Sequence, residues 1–344
     1  LHPPTDQGET NPTSDRIYRC VANIQAIQTG KAQQKARRQE KIEQAANPDT
    51  SDPDCLEELS LVQRSQYSAL MHSSIDDFLP LQGSAYHTLA TKTTNADLEK
   101  IVDTSDEWIK SRSGIERRHF VAKGETTSDL AAAAARAALL DANLSAGDID
   151  AIVLATSTAD LTFPSAATMV QAKIGMRQGF AFDVQAVCAG FIYALSTANA
   201  LILSGQAKRV LVIGAESFSK LMDWQDRTTS VLFGDGAGAL VLEAEETATG
   251  TNTDRGILAT DLHSDGQFSD LLYVDGGTST GTTGFLRMQG KEVFRHAVEK
   301  LAQTAHAALE KAGFGANDVD WIVPHQANLR IISATAQRMG VEME

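Results

Sequence analysis

Positive charge, cysteine and long apolar runs are all scarce in this 344-residue chain. Lys and Arg number 30 against 44 Asp and Glu, a formal net charge of −14. A chain that acidic repels a polyphosphate backbone, so no nucleic-acid partner is expected. Cysteine occurs at Cys20, Cys55 and Cys188 only. The three are far apart, odd in number and without metal-ligand spacing, which argues against a disulfide framework or a metal site and fits a reducing, cytoplasmic setting. No apolar run approaches the ~18 residues that a membrane-spanning helix needs, and the polar N-terminus lacks a signal-peptide core. The chain therefore reads as soluble, with no membrane partner.

What is present divides unevenly. Residues 1–85 differ from everything after them. A Pro-, Thr- and Asp-rich start leads to a polar candidate helix over 31–46 without a continuous apolar face, then to a linker of turn formers and an amphipathic candidate helix over 56–71. This is expected to be a poorly ordered extension, the alternative being a protein-binding arm presenting Arg37 and Arg38. Order is expected from near Thr94. Asn95 is a candidate cap for a helix over 96–102, and Thr104-Ser105-Asp106 opens a second through Trp108 and Ile109. Further helices are expected over 128–142, from Ser165 to about Lys173, and over 288–312. Strands are expected over 149–156, 180–187, 209–213, 256–261 and 319–323. The apolar stretch 231–242 is expected to be broken by Gly234-Asp235-Gly236-Ala237-Gly238. Strands alternating with helices predict an α/β fold with mixed, mostly parallel sheets.

An internal repeat sharpens that expectation. Residues 137–153 (AALLDANLSAGDIDAIV) and 307–323 (AALEKAGFGANDVDWIV) share a helix–turn–D-x-D–strand plan at a constant offset of 170, the difference between 137 and 307. The repeat implies duplicated α/β halves, taken as 86–250 and 251–344. The counterpart of Cys188 and its strand would fall beyond Glu344, so the second half is expected to be incomplete.

Two residues carry candidate chemistry. Cys188 follows the strand over 180–187 and opens a helix of small and apolar residues. There the unpaired N–H groups and the helix dipole are expected to favour a thiolate and lower the cysteine's pKa. Taken alone, it reads first as a buried structural cysteine. His325 follows the repeated strand in Val323-Pro324-His325-Gln326-Ala327-Asn328, placed to face a crevice between halves or to serve as a hydrogen-bonded structural residue. Together they suggest thiolate chemistry on an acyl group.

The motifs TNADLE (94–99), TSDEWI (104–109), RSGIERR (112–118), FPSAA (163–167), DVQAVCAGF (183–191), FGDGAGA (233–239), MQGKEVF (288–294) and VPHQAN (323–328) are numerous and collinear over about 250 residues. In them the chain resembles β-ketoacyl-acyl-carrier-protein synthase III, the initiating condensing enzyme of type II fatty-acid synthesis, in the thiolase-like superfamily. The resemblance implies an acyltransferase in which Cys188 accepts an acyl primer from acyl-CoA, acetyl-CoA being the expected primer. His325 would then assist the decarboxylative condensation with malonyl-acyl-carrier protein. It also implies a cytoplasmic homodimer with no metal and no resident cofactor, coenzyme A arriving as the thioester substrate. By the same resemblance Trp108, Arg112, Arg227, Gly290 and Asn328 contact coenzyme A, and Phe163 reaches across the dimer to close the partner's acyl pocket. The carrier protein of this family is strongly acidic, so docking needs a basic island, for which Arg295, Arg330 and Arg338 are the candidates.

The chain departs from the family pattern at both ends. The family's H-G-N-T-S-type motif, which supplies a third catalytic residue (Asn), and its glycine-rich closing loop have no match here and are expected to lie beyond the C-terminus. The family's first strand is only faintly echoed over 79–93. The competing readings are a sister condensing enzyme of the hydroxymethylglutaryl-CoA synthase kind and an interaction-only fragment without catalysis.

Overall fold

The computed structural model describes residues 24–25, 81–87, 91–245 and 256–343. The expectations for the rest of 1–80, including the helices over 31–46 and 56–71, Arg37 and Arg38, and Cys20 and Cys55, lie outside the described residues.

Two strands lie ahead of the expected start near Thr94. The dipeptide Ile24–Gln25 (β1) pairs antiparallel with Trp321–Ile322, and Leu81–His87 (β2) joins the main sheet. β2 straddles the expected boundary at residue 85. Next, β3 (Thr91–Thr94) forms an antiparallel ribbon with β4 (Arg117–Phe120), and two short helices fill the connection between them. Helix α1 (Asn95–Leu98) is capped by Thr94, not by Asn95 as expected. The Thr94 hydroxyl accepts from the Asp97 N–H at 3.3 Å, and the Asp97 carboxylate accepts from the Thr94 N–H at 3.1 Å. Such a reciprocal box satisfies two otherwise orphaned donors. It also releases Asn95 for tertiary work. The buried Asn95 amide donates to Asp106 and to the Ile115 carbonyl, both at 2.8 Å, and accepts from Arg118 at 2.7 Å. Helix α2 (Asp106–Ser113) is capped by Ser105, as its sequence predicts.

At the centre lies β5 (Ala151–Ala155), whose five apolar residues are all buried, the pattern of a strand covered on both faces. It pairs in parallel with β6 (Phe180–Val184) on one side and β7 (Arg209–Ser217) on the other. β8 (Asp235–Glu243) then pairs antiparallel with β7, and β2 antiparallel with β8. The order is β2-β8-β7-β5-β6. In this mixed sheet β8 alone opposes the rest, because β2 is reversed twice relative to β7.

Helix α3 (Thr127–Asp141) and helix α4 (Ala166–Ile174) pack on one face through Ala131, Ala135, Ala138 and Val170. Helix α5 (Gly190–Leu203) packs on the other through Ala194, Ala198 and Ile202. Alanine dominates these contacts, which lets helix and sheet backbones approach closely. A one-turn helix α6 (Arg227–Ser230) precedes β8. The hairpin β9 (Leu272–Val274) and β10 (Leu286–Met288) leads into helix α7 (Gly290–Ala312), followed by β11 (Trp321–Ile322) and helix α8 (Leu329–Met339). Helices α7 and α8 meet over Ala302, Leu309 and Met339.

Several expected elements change. Gly236 and Gly238 do not break the apolar stretch, since β8 starts at Asp235 and runs through them, whereas 231–234 precede the strand. The strand expected over 256–261 does not form. Ile257 is buried against the sheet, but side chains replace the ladder: Ser196 meets Thr260, and Asp261 accepts from Lys311 and His263. The strand expected over 319–323 shrinks to β11. The repeat reappears in geometry. Tight turns Ala146–Asp148 and Ala316–Asp318 occupy equivalent places, and each is locked by an Asp carboxylate accepting a backbone N–H at 2.8 Å, Ser145 to Asp148 and Gly315 to Asp318.

Candidate active site

β6 delivers the chain to Cys188. Beyond Val184, whose carbonyl accepts the Thr156 N–H at 3.1 Å, the backbone turns through Val187–Ala189 before α5 begins at Gly190. Val187 holds φ at +47°. A β-branched residue rarely occupies the left-handed region, so the turn stores strain immediately before the sulfur. Small residues bring α5 down onto the strand ends. A Cβ on Gly190 would lie 3.2 Å from the Ala155 Cβ, and one on Gly214 would lie 3.2 Å from the Phe191 ring. Cys188 is thus presented at the carboxyl ends of β5, β6 and β7, where open α/β sheets hold their ligands.

The charge environment of the sulfur differs from expectation. Cys188 precedes the first residue of α5 by two positions, so the helix end does not dominate. Burial pushes its thiol above the usual cysteine range, the Glu216 carboxylate pushes further in the same direction, and only its own backbone N–H works against them. Cys188 nevertheless keeps an exposed surface. A side chain open to solvent on one side still loses hydration where neighbours crowd the others. Glu216, near the end of β7, was not singled out by the sequence. The only signal was an acid just beyond the apolar run expected as a strand over 209–213. Its carboxylate accepts from the Ser157 N–H at 2.8 Å and the Thr158 hydroxyl at 2.6 Å, while burial raises its own pKa.

Ahead of the cysteine, Asp183 ties β6 to α4. Its two carboxylate oxygens accept the backbone N–H groups of Ala166 and Ala167 at 2.8 and 2.7 Å. Ser165 caps the same helix at Thr168. This junction fixes the loop that carries Phe163, which is 82% exposed.

His325 lies beyond β11. Its carbonyl accepts the Ala327 N–H at 2.9 Å in a tight turn, and burial lowers its imidazole pKa, favouring the neutral ring. No hydrogen bond joins it to Cys188. Asn328 is occupied locally, its side-chain oxygen capping α8 at the Ile331 N–H, 3.0 Å away. Its expected coenzyme A contact would have to use the remaining amide group.

Three other predicted residues are brought together. The Arg112 and Arg227 guanidiniums lie 4.7 and 5.2 Å from the Trp108 ring centroid, within cation–π range. Arg227 also donates to the Asp103 carbonyl at 3.1 Å. Beneath them Arg118 is buried to 6% exposure and donates to Asn95 and to the Val231 carbonyl. Burial pushes its pKa down to about 10, still cationic at neutral pH. Gly290 opens α7, and a Cβ there would meet only Met288 at an ordinary 3.6 Å. Packing within the chain does not require glycine at that position. Of the basic candidates, Arg330 stacks over Phe294 at 5.7 Å, next in sequence to Arg295. Arg295 itself is engaged by Glu292 at 2.8 Å, and Arg338 is exposed in the last turn of α8. Among the described residues no cluster of three or more His, Cys, Asp or Glu is placed to hold a metal, and no helix is long and apolar enough to cross a membrane.

Comparison with known proteins gives concordant matches. The model of the family 3-oxoacyl-[acyl-carrier-protein (ACP)] synthase III matches residues 182–266, and that of its C-terminal part matches 309–344. A β-ketoacyl-[acyl-carrier-protein] synthase III of Cereibacter sphaeroides is 78% identical over 250 residues, 73% of this chain and 77% of that protein. The protein of that name from Ruegeria pomeroyi is 72% identical over 264 residues, 77% of this chain and 81% of its own. The crystal structure of 3-oxoacyl-[acyl-carrier-protein] synthase III from Aquifex aeolicus superposes with a TM-score of 0.71 at 46% identity, covering 76% of this chain and 81% of the other.

Proposed function

The chain belongs to the β-ketoacyl-acyl-carrier-protein synthase III family of thiolase-like condensing enzymes, and from that premise we propose that Cys188 and His325 carry out the two halves of its reaction. The enzymes of this family are acyltransferases that start fatty-acid synthesis. In the first half-reaction the Cys188 thiolate attacks the thioester carbonyl of acyl-CoA. The bond to the coenzyme A sulfur breaks, and coenzyme A leaves as its thiol after taking up a proton. In the second, the carboxyl carbon of malonyl-acyl-carrier protein leaves as CO2. The resulting enolate attacks the acyl-Cys carbonyl, forming the new carbon–carbon bond and returning the sulfur as a thiolate.

Each side chain has a physical reason for its role. A covalent thioester holds the primer while coenzyme A departs and the carrier protein docks. The enolate oxygen needs hydrogen-bond donors as charge develops on it, and a neutral His325 can donate one. Trp108 and Arg227 offer a stacking shelf for adenine with Arg112 beside it for phosphate, and Gly290 leaves the α7 end open to close approach. Arg330, with Arg295 and Arg338 as the further candidates, supplies positive charge for an acidic carrier protein. Phe163, largely exposed on a loop held by Ser165 and Asp183, suits a residue that completes a pocket in a second copy of the chain in a cytoplasmic homodimer. Every step moves a proton, CO2 or an acyl group, so none calls for an electron carrier.

The observation that carries the reading is the placement of Cys188 on a strained turn between β6 and α5 at the carboxyl ends of three parallel strands. Incubation with acetyl-CoA followed by peptide mass spectrometry tests it. One acetyl group should appear on the peptide containing Cys188 and disappear in Cys188→Ser, with Cys20→Ser and Cys55→Ser unchanged. Acetylation of Cys20 or Cys55 instead would overturn the assignment.

A further inference from the structure

The turn over residues 223–226, which carries Arg227 to the Trp108 ring, is held from outside by an arginine that no part of the proposed reaction uses. Arg287 lies on β10, opposite Tyr273 of β9. Its Nε donates to Asp275 Oδ2 at 2.7 Å and its Nη1 to Asp223 Oδ2 at 2.8 Å. Each carboxylate is itself tied to backbone. Asp275 accepts the Phe285 N–H at 2.6 Å, closing the hairpin, and Asp223 accepts the Gln225 N–H at 3.1 Å. The Asp223 carbonyl accepts the Asp226 N–H at 2.9 Å, and Asp226 caps α6, whose first residue is Arg227. A continuous set of polar contacts therefore runs from the β9–β10 hairpin through Arg287 and Asp223 to Asp226, the residue before Arg227, whose guanidinium lies 5.2 Å from the Trp108 centroid. Below it, Met222 and Leu286 share one buried cluster, which fixes the hairpin and the turn at a common base.

Arg287 is half-exposed, with 35% of its side chain open to solvent. Exposed ion pairs contribute little to stability, so the arrangement calls for another explanation. A planar guanidinium differs from an ammonium in serving two carboxylates at once from a rigid fork. Such a fork converts a solvent-facing turn into a fixed arm, and an arm fixed in advance loses less entropy when a ligand stacks on it.

We infer that Arg287 is a positioning residue for the nucleotide end of acyl-CoA: by bridging Asp275 and Asp223 it fixes the turn that aims Arg227 at Trp108. The inference rests on the reading of Trp108 and Arg227 as the adenine shelf. It goes beyond that reading in assigning control of the shelf to a pair of acids and an arginine that do not touch the ligand.

The test is the rate of Cys188 acylation measured against donor concentration, using acetyl-CoA and, separately, acetyl-pantetheine, which lacks the nucleotide. Arg287→Gln should raise the half-saturating concentration of acetyl-CoA about five-fold, the scale of one lost ordering contact, with the maximal rate unchanged. Acetyl-pantetheine should respond equally to parent and variant, and the thermal midpoint should scarcely move. Arg287→Lys, a point charge that cannot serve both acids, should fall between. Trp108→Ala separates the two layers of the argument. If it weakens acetyl-CoA selectively while Arg287→Gln does not, the shelf stands and the positioning role is overturned. If Trp108→Ala leaves acetyl-CoA unaffected, the shelf reading falls and the inference with it. An equal loss with both donors in Arg287→Gln would also overturn the inference, since that is the signature of a general loosening of the fold.

Discussion

Replacing Asp183 with Ala should destabilise the protein far more than its position, partly open to solvent, would suggest. The first N–H groups of any helix lack internal partners. In α4 the Ser165 hydroxyl takes one of them, at Thr168, and the Asp183 carboxylate takes two more, from Ala166 and Ala167 at 2.8 and 2.7 Å. Both donors belong to residues with no exposed surface, so water cannot readily replace the carboxylate. A hydrogen bond to a charged group is worth about 1.5–3 kcal/mol, and a buried donor left unmet costs a comparable amount. Two such bonds at the lower end give a loss of roughly 3 kcal/mol. At ~2–4 °C per kcal/mol, a depression of the thermal midpoint by about 6–12 °C is expected. Asp183→Asn sharpens the test, because its single carbonyl can accept one N–H while its NH2 faces the other. It should lose about 2 kcal/mol, more than half of the alanine effect. Circular dichroism melts of the three proteins, alongside acetylation of Cys188 at low temperature, provide the measurement. If Asp183→Ala melted within about 2 °C of the parent, a shift worth ~1 kcal/mol or less, the carboxylate would not be supplying those partners and the account of the α4 junction would be wrong.

Glu216→Gln should lower the pH at which Cys188 reacts with iodoacetamide. The carboxylate is the second cause raising the thiol pKa, and its removal makes the thiolate form more readily, while burial, the first cause, keeps the midpoint above that of an ordinary cysteine. An unmoved or raised midpoint would contradict this. His325→Ala should reduce condensation by roughly 10²–10³, the usual effect of losing one oxyanion donor, while acylation of Cys188 persists; equal loss of both would mean that His325 activates the cysteine instead. Arg330→Glu should raise KM for malonyl-acyl-carrier protein in a salt-dependent way and leave acylation by acetyl-CoA intact, and a KM insensitive to the change would place docking elsewhere.

The parts of the molecule legible in the sequence were those governed by neighbours along the chain. The cap Ser105 acts within three residues of itself, and the helix expected to start at Ser165 does start there. The apolar run of β5 and the small-residue helix after Cys188 announce their burial by composition, and the Asp locks of the two repeated turns are local as well. Non-local partnerships were not legible. Nothing near Glu216 indicates that it meets Ser157 and Thr158, nor near Arg287 that it bridges Asp223 and Asp275. The same cause accounts for the misplaced cap, since Asn95 looked available for α1 only until Arg118 and Asp106 claimed its amide. It accounts equally for the expected fall in the Cys188 pKa, a prediction from local helix physics that burial of the thiol and, after it, a carboxylate from another strand reverse.

The strand order also carries a consequence for assembly in time. β5 pairs with β6 and β7, both drawn from nearby chain, so this parallel trio and α5 can close with short loops. β2 must find β8 across most of the described sequence, Leu81 meeting Leu242. Closing a loop costs more entropy as it lengthens, and contacts of wide separation form late. The strand ends that present the sulfur, drawn from residues 151–217, are therefore expected to form early, with β2 arriving as the closing edge. Until it does, β8 offers a row of unpaired backbone groups to any other strand in solution. Refolding yield should thus depend on protein concentration during that interval, and the vulnerable surface is the edge furthest from β6 and the cysteine that follows it.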